Sequence, residues 1–431
     1  MSAAPLLPTA DLFIEPPARS GDDVEYVCRL AEPRGTTHRI WFRFPASCEP
    51  LLTRRADPFV LATLIYSLGR IGRLEIHGAV SQGLLANVAD FQSAYAAFHR
   101  VAAAPVRLVA REVVSAATAN RTDGGITAFS GGVDSCFSVF RHTSLSELEP
   151  KRPLRAALMM HGFDIPLAEP AMFARAATRA RTLTESAGVR LFTGATNLRT
   201  LPGHWEDTFG TAVAAVLTFF QPAFVFGLVP SAQLWQQVHF DHGSNPLTDP
   251  LLSSGAFAIV HDGTSFGRID KLRALAAWPE ALRLMRVCWE GRHLDANCGR
   301  CEKCLRTMLM LRICGVDAPA AFPPLDLAAL DRLVIRTRGG LDEFAYLISE
   351  ARRRNITEPW VAAAEGAVRR SRRAAWLKAR ARRAAGWLPA AWRNRLQRVR
   401  HPAVATASAP PLAEASTQPA PVATEEMLSR P

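Results

Sequence analysis

Two short stretches of the chain hold residue types and spacings that could do chemistry. The first is Phe129-Ser130-Gly131-Gly132-Val133-Asp134-Ser135. Adjacent glycines let a backbone turn tightly and approach an anion without Cβ obstruction. Ser130 and Ser135 flank them as hydroxyl donors. A helix starting here would aim its free N–H groups at the same spot, which favours phosphate. Asp134 stands where its carboxylate can hold a Mg2+ bridging phosphate oxygens. A plain strand-turn-helix with a Ser or Asp cap would use the same residues. The loop is not a Walker A, which would need Gly-x-x-x-x-Gly-Lys-Ser/Thr.

The second stretch is Cys288-x9-Cys298-x2-Cys301-x2-Cys304. Thiolates three residues apart can bite one ion, and a more distant fourth closes a tetrahedron. This predicts a structural Zn2+ site with no open coordination position. Gly299 permits the knuckle turn, and Arg292, Arg300, Lys303 and Arg306 would offset the thiolate charge. A redox pair at Cys298 and Cys301, an iron–sulfur cluster, or unliganded buried thiols would each fit part of the pattern. Cys28, Cys48, Cys136 and Cys314 are dispersed, with Cys136 read as a buried structural thiol. Clustered cysteines in a chain this long favour metal chemistry in a reducing compartment over a disulfide framework. Met1–Pro17 has no basic segment followed by an apolar run, so a cytoplasmic protein is expected.

The elements that must position these residues follow from periodicity. Ile126–Phe129 reads as a buried strand, Cys136–His142 as the start of a helix, and Arg155–Met160 as a second strand. Ala168–Ala187 reads as a helix and Val189–Thr193 as a third strand. Thr208 to Pro230 lacks any charged residue, but Gln221-Pro222 splits it into a helix (Thr211–Phe220) and a strand (Ala223–Val229) rather than a membrane span. Strands alternating with helices predict an α/β, doubly wound parallel sheet over 121–318, with ligands at the strands' carboxyl ends.

Residues 1–120 read as an N-terminal α+β domain. Its strands are Glu25–Leu30, His38–Phe44, Arg73–His77 and Val106–Val114, and its helices are Phe59–Leu68 and Val80–Phe98. Residues 319–400 are predicted helical, clearest at Leu325–Val334 and Gly340–Arg354, and 401–431 a disordered tail. The formal charge of +12 is local. Twelve Lys/Arg and no acid lie between Arg369 and Arg400; removing them from the 51 in the chain leaves 39 bases against 39 acids. Trp376, Trp387 and Trp392 stand among those bases. Such a segment suits a nucleic acid, an anionic membrane or a protein partner, or it is simply a solvated Arg/Ala helix.

The Ser-Gly-Gly-x-Asp-Ser loop resembles that of the PP-loop ATP pyrophosphatases, which include NAD synthetases, asparagine synthetases and tRNA-thiolating enzymes. With the knuckle Asn297-Cys298-Gly299-Arg300-Cys301-Glu302-Lys303-Cys304, Gly125 to Gly315 resembles the 7-cyano-7-deazaguanine synthases in particular. The resemblance implies that Ser130, Gly131, Gly132, Val133, Asp134 and Ser135 bind ATP and its Mg2+, with adenine near Met160 at the end of a strand. It implies a ligase that adenylates a small-molecule carboxylate, releases pyrophosphate, and admits ammonia or an amine. Lys271 matches a lysine these enzymes often carry, and would neutralise phosphate charge. Those synthases carry Tyr-Pro-Asp-Cys-Arg after the strand matching Ala223–Val229; here the chain reads His239-Phe240-Asp241-His242-Gly243-Ser244-Asn245-Pro246-Leu247-Thr248-Asp249-Pro250. Loops at this end of a parallel sheet line the site, so His239, Asp241, His242 and Asp249 are the candidate contacts to an altered substrate, unless the loop's polar residues merely close turns. Two alternatives remain: a thiolating enzyme acting on nucleic acid, and an ATP-binding partner subunit of a multi-gene system such as an anti-phage one.

Overall fold

The computed structural model describes residues 7–33, 35–99, 104–115, 122–288, 290–291 and 293–386, with side chains to Arg380. The first elements are β1 (Thr9–Ile14), β2 (Ala18–Ser20), β3 (Asp23–Ala31), β4 (Thr37–Pro45), α1 (Asp57–Ser67), β5 (Arg73–Ser81), α2 (Gln82–His99) and β6 (Arg107–Val114). Next come β7 (Gly125–Ala128), α3 (Val133–Arg141), β8 (Leu154–His161), α4 (Pro170–Glu185), β9 (Arg190–Thr196), α5 (Trp205–Thr218), β10 (Phe226–Pro230) and β11 (Ala258–Asp262). The remaining described elements are helices: α6 (Arg268–Leu275), α7 (Pro279–Leu284), α8 (Glu302–Ile313), α9 (Leu327–Arg332), α10 (Arg338–Arg353) and α11 (Pro359–Gly386).

All eleven strands share one mixed sheet, in the order β11-β10-β7-β8-β9-β4-β3-β1-β5-β6 with β2 on β3. The five strands from β11 to β9 are parallel. Their order makes β7 and β10 neighbours, and the chain leaves the two on opposite faces. After β7 it enters α3, whose Val133, Phe137 and Phe140 join the apolar layer of α6 and α8. After β10 it enters a segment ending in a short turn, Asp249–Leu252, that packs on α2 and α5. That divergence marks the switch point of the parallel strands, the place at which a doubly wound sheet generally binds ligands.

The expected boundary near residue 120 does not divide the sheet. β4 pairs antiparallel with β9 (Phe42↔Thr196, Arg43↔Ala195), so the N-terminal strands extend the parallel core. Side chains complete the junction: Asn197 Oδ1 accepts from Trp41 N at 2.8 Å, and its Nδ2 donates to Arg39 O at 2.8 Å. The apolar layer is shared as well. Phe219, at the end of α5, packs its ring 5.0 Å from Phe42, 5.3 Å from Phe44 and 5.6 Å from Phe59. A buried polar chain adds to the seam, with Gln221 Nε2 donating to Asp57 Oδ2 at 2.9 Å and Ser254 Oγ donating to Gln221 Oε1 at 2.9 Å.

One compact unit runs from the N-terminus to Ser371, and the rest of α11 begins a second. No helix among the described residues is long and apolar enough to cross a membrane. The predicted tail over 401–431, and Trp387 and Trp392, lie outside the described residues.

Candidate functional site

The phosphate-type loop is built by its own side chains. Phe129 N donates to Leu158 O at 2.9 Å, carrying the chain past the end of β7. Gly131 then takes φ +77°, a left-handed conformation that costs glycine nothing and strains other residues. Ser130 Oγ accepts from Gly132 N at 3.3 Å, and Ser135 Oγ accepts from Ser130 N at 3.3 Å while donating to Gly132 O at 3.1 Å. Arg286 braces the loop from below. Its backbone N–H donates to Gly131 O at 2.7 Å and its guanidinium to Ser130 O at 3.0 Å. The same guanidinium donates to Leu294 O at 2.9 Å and Cys288 O at 3.3 Å, so one buried arginine joins the two motifs. Sequence reasoning missed Arg286, since nothing in Leu284-Met285-Arg286-Val287 marks it as buried.

Asp134 opens α3 between two cations. Lys271 Nζ donates to Oδ1 at 3.0 Å and Arg268 to Oδ2 at 2.9 Å. Burial alone would raise this carboxyl, but Arg268 and then Lys271 outweigh it and hold the group below the ordinary aspartate value. Lys271 is 1% exposed; it also donates to Ser231 O and lies over the Phe137 ring at 5.8 Å. The expected lysine thus meets the loop, with its charge committed to Asp134 and to the start of the β10 loop. Arg268 reaches Glu343 at 3.8 Å, and Glu343 pairs with Arg306 at 3.0 Å. Lys303 lies within the fields of Arg268, Asp164 and Asp134; burial, then Arg268, pulls its ammonium down from the ordinary lysine value. Cations therefore outnumber carboxylates around the loop, as a polyphosphate site requires. Each Asp134 oxygen has one lone pair engaged by a cation and one left over, so the carboxylate can still take a Mg2+.

The remaining loop residues divide by side. Val133 is buried in the layer with α6 and α8. Met160 is buried in the opposite layer, its sulfur against Gly194 beside Phe44. Cys136 is fully buried and its thiol donates to Gly131 O at 3.4 Å; burial, then Asp134, pushes it far up, as befits a packing thiol.

The four knuckle cysteines meet. All four Sγ atoms lie within 4.8 Å of one another, with Cys288–Cys301 at 3.8 Å and Cys298–Cys304 at 3.9 Å. Zinc–thiolate bonds of about 2.3 Å give a tetrahedron with edges of about 3.8 Å, so the set could hold a metal ion such as zinc. An iron–sulfur cluster would insert its own bulk between the thiolates, which this spacing does not accommodate. Backbone N–H groups of Cys301 and Cys304 point at Cys298 Sγ (3.3 Å) and Cys301 Sγ (3.5 Å), supplying the outer shell such a site uses. Hydrogen bonds from Cys301 and Cys304 pull the Cys288 thiol down strongly, favouring a thiolate there.

Asn297 is the clamp. Its Oδ1 accepts from Val287 N (2.8 Å) and Cys288 N (3.2 Å), and its Nδ2 donates to Met285 O (2.9 Å) and Ala321 O (2.8 Å). Gly299 turns at φ +69°, with Pro323 where a Cβ would stand. Of the basic residues expected to offset the thiolates, Arg306 pairs with Glu343 and Glu302 and Lys303 lies in the field of Asp134 and Asp164, both toward the loop; Arg300 is exposed, and Arg292 lies outside the described residues.

The β10 loop separates the four substrate candidates, with His242 half-buried and its Nδ1 3.0 Å from Ser244 O. His239 and Asp241 are exposed, and Phe240 between them stacks on Phe98 of α2 at 5.0 Å. Asp249 is fully buried and works as a loop anchor, accepting from Ser244 Oγ at 2.7 Å, Asn245 N at 3.3 Å and His261 Nδ1 at 2.7 Å. His261 ends β11 facing away from α3, and its buried Nε2 has no hydrogen-bond partner among the described residues. Its neighbour Asp262 faces the other way and ties the strand to Ser138 (2.6 Å), Arg141 (2.9 Å) and His142 (3.0 Å) of α3 and its end.

Comparison of the chain with protein-family models, with curated proteins and with solved structures returns no match.

Proposed function

We propose that the chain is an ATP-dependent carbon–nitrogen ligase of the PP-loop kind, resembling the 7-cyano-7-deazaguanine synthases and acting on a different carboxylate. One observation carries this reading: a Ser-Gly-Gly loop at the end of a central parallel strand opens a helix whose Asp134 is gripped by Lys271 and Arg268. In the reaction a substrate carboxylate oxygen attacks the α-phosphorus of ATP; the new P–O bond forms as the bond to pyrophosphate breaks. A nitrogen nucleophile then attacks the activated carbonyl carbon, and AMP departs with the carboxylate oxygen while the nitrogen gives up a proton. The loop N–H groups, Ser130 and Ser135 would orient the phosphates, and Arg268, Lys271 and Lys303 would balance the charge of the leaving pyrophosphate. Asp134 would hold the Mg2+ that neutralises that charge further. A zinc bound by Cys288, Cys298, Cys301 and Cys304 would have no open position and would brace the loop through Arg286.

The sulfur spacing supports a single ion over an iron–sulfur cluster, and so favours the ligase over the thiolating alternative. The test is mass spectrometry of products from purified protein, Mg·ATP, ammonium and a panel of carboxylates including 7-carboxy-7-deazaguanine. AMP and an amide or nitrile, lost in Asp134→Ala and Asp134→Asn, are expected. ATP left intact across the panel by a folded, zinc-loaded protein would overturn the ligase reading.

A further inference from the structure

The second half of α11 changes character at one residue. Ser371 is buried, its Oγ donating to Ala367 O at 2.7 Å and accepting from Ile335 N at 2.8 Å. From Arg372 to Arg380 every side chain is exposed, Trp376 at 57% and Leu377 at 50%. The sequence has no acidic residue from Gly366 to Ala413. Among the described residues no carboxylate pairs with Arg372, Arg373, Lys378 or Arg380, so this stretch meets a polyanion or remains simply solvated, and the placement of its tryptophan decides between partners.

At about 100° per residue, Arg372, Arg373 and Arg380 fall within roughly 60° of Trp376 around the helix. The tryptophan face is therefore the arginine face, and the Arg380 guanidinium lies over the Trp376 ring at 5.3 Å. A helix lying in a bilayer surface separates the two, with Trp and Leu on one side and bases on the other. Here Leu377 is about 100° from Trp376, and Lys378 closes the opposite side, leaving no apolar face to bury. An exposed indole ringed by guanidinium groups matches an alternation of flat bases and phosphates. A duplex keeps its base faces stacked inside and offers that indole nothing.

We propose that this half of α11 binds single-stranded nucleic acid without sequence preference, Trp376 stacking on a base while Arg372, Arg373 and Arg380 contact phosphates. The proposal stands apart from the ligase reading, because binding needs no turnover.

The test uses the full chain, a fluorescein-labelled oligouridine, the matching duplex, and phosphatidylserine vesicles. Anisotropy should show tighter binding of the single strand than of the duplex, with quenching of tryptophan emission. Trp376→Ala should weaken single-strand binding about tenfold while leaving the salt slope unchanged. Replacing Arg372, Arg373 and Arg380 together by Gln should lower the slope of log K against log salt by about 2. These positions lie outside the buried core, and circular dichroism checks that the variants fold. Equal affinity for duplex and single strand with no effect of Trp376→Ala would overturn the proposal. So would binding to the vesicles with none to either oligonucleotide.

Discussion

Asp134 is the residue on which the loop's electrostatics turn, and its pair of cations sets two expectations. Asp134→Asn removes the negative charge and leaves Lys271 and Arg268 facing each other, which should cost about 3 kcal/mol of stability near neutral pH. The sign of the pH dependence follows from the lowered carboxyl. The unfolded chain binds a proton at about pH 4, the folded one only at more acid pH, so this stabilisation is complete above about pH 4 and fades as pH falls through the folded value. Urea unfolding of both proteins should show a gap that is constant from neutral to mildly acid pH and narrows below about pH 4. A gap unchanged down to pH 3 would mean the pair contributes no charge-dependent stability. The loop and Lys271 were legible in the sequence because glycine, serine and lysine carry recognisable signals there. Arg268 and Arg286 were not: an arginine at a helix start or just past a helix end looks the same whether solvated or buried, and only the tertiary fold brings either one to the loop.

At the scale of elements, the four-cysteine knuckle is held by one amide. Asn297→Ala removes four hydrogen bonds that pin Cys288 and the Met285 and Ala321 carbonyls around the knuckle. Zinc affinity, measured by competition with a chromophoric chelator, should fall at least tenfold. Asn297→Asp should recover part of it, since the oxygen that orders Cys288 remains. The cysteine spacing alone pointed to this candidate metal site, whereas the clamp carries no sequence signature beyond its place beside Cys298. The β10 loop gives the opposite lesson. Its run of His and Asp resembled substrate chemistry, yet Asp249 spends its oxygens on closing the turn and orienting His261. A polar loop over a sheet end does not reveal from its sequence which carboxylates turn inward.

At the scale of the molecule, all the described strands lie in one sheet, and that sets how far it can be dissected. The hairpin of β3 and β4, the helices α1 and α2 and the parallel strands β7 to β10 were each readable from periodicity, whereas β11 was missed. The antiparallel join of β4 to β9 was not, because local patterns carry no record of partners some 150 residues away. A chain starting at residue 122 would leave the β9 edge unpaired and uncover Phe219 and Phe220, both fully buried here. It should aggregate on expression; a monodisperse, folded fragment in size-exclusion chromatography would contradict the shared core.

That join also imposes a schedule on the nascent chain. β4 ends at position 45 and β9 begins at position 190, so 145 residues must be synthesised before one strand meets the other. At roughly 5–20 residues per second the wait is about 7–29 s. Through that interval Thr37–Pro45 emerges with hydrogen-bonding groups still open along one side, and the aromatic side chains awaiting Phe219 are bare. The ribosome-associated stage is therefore when this protein is most exposed to mispairing, and when a chaperone has the most surface to cover.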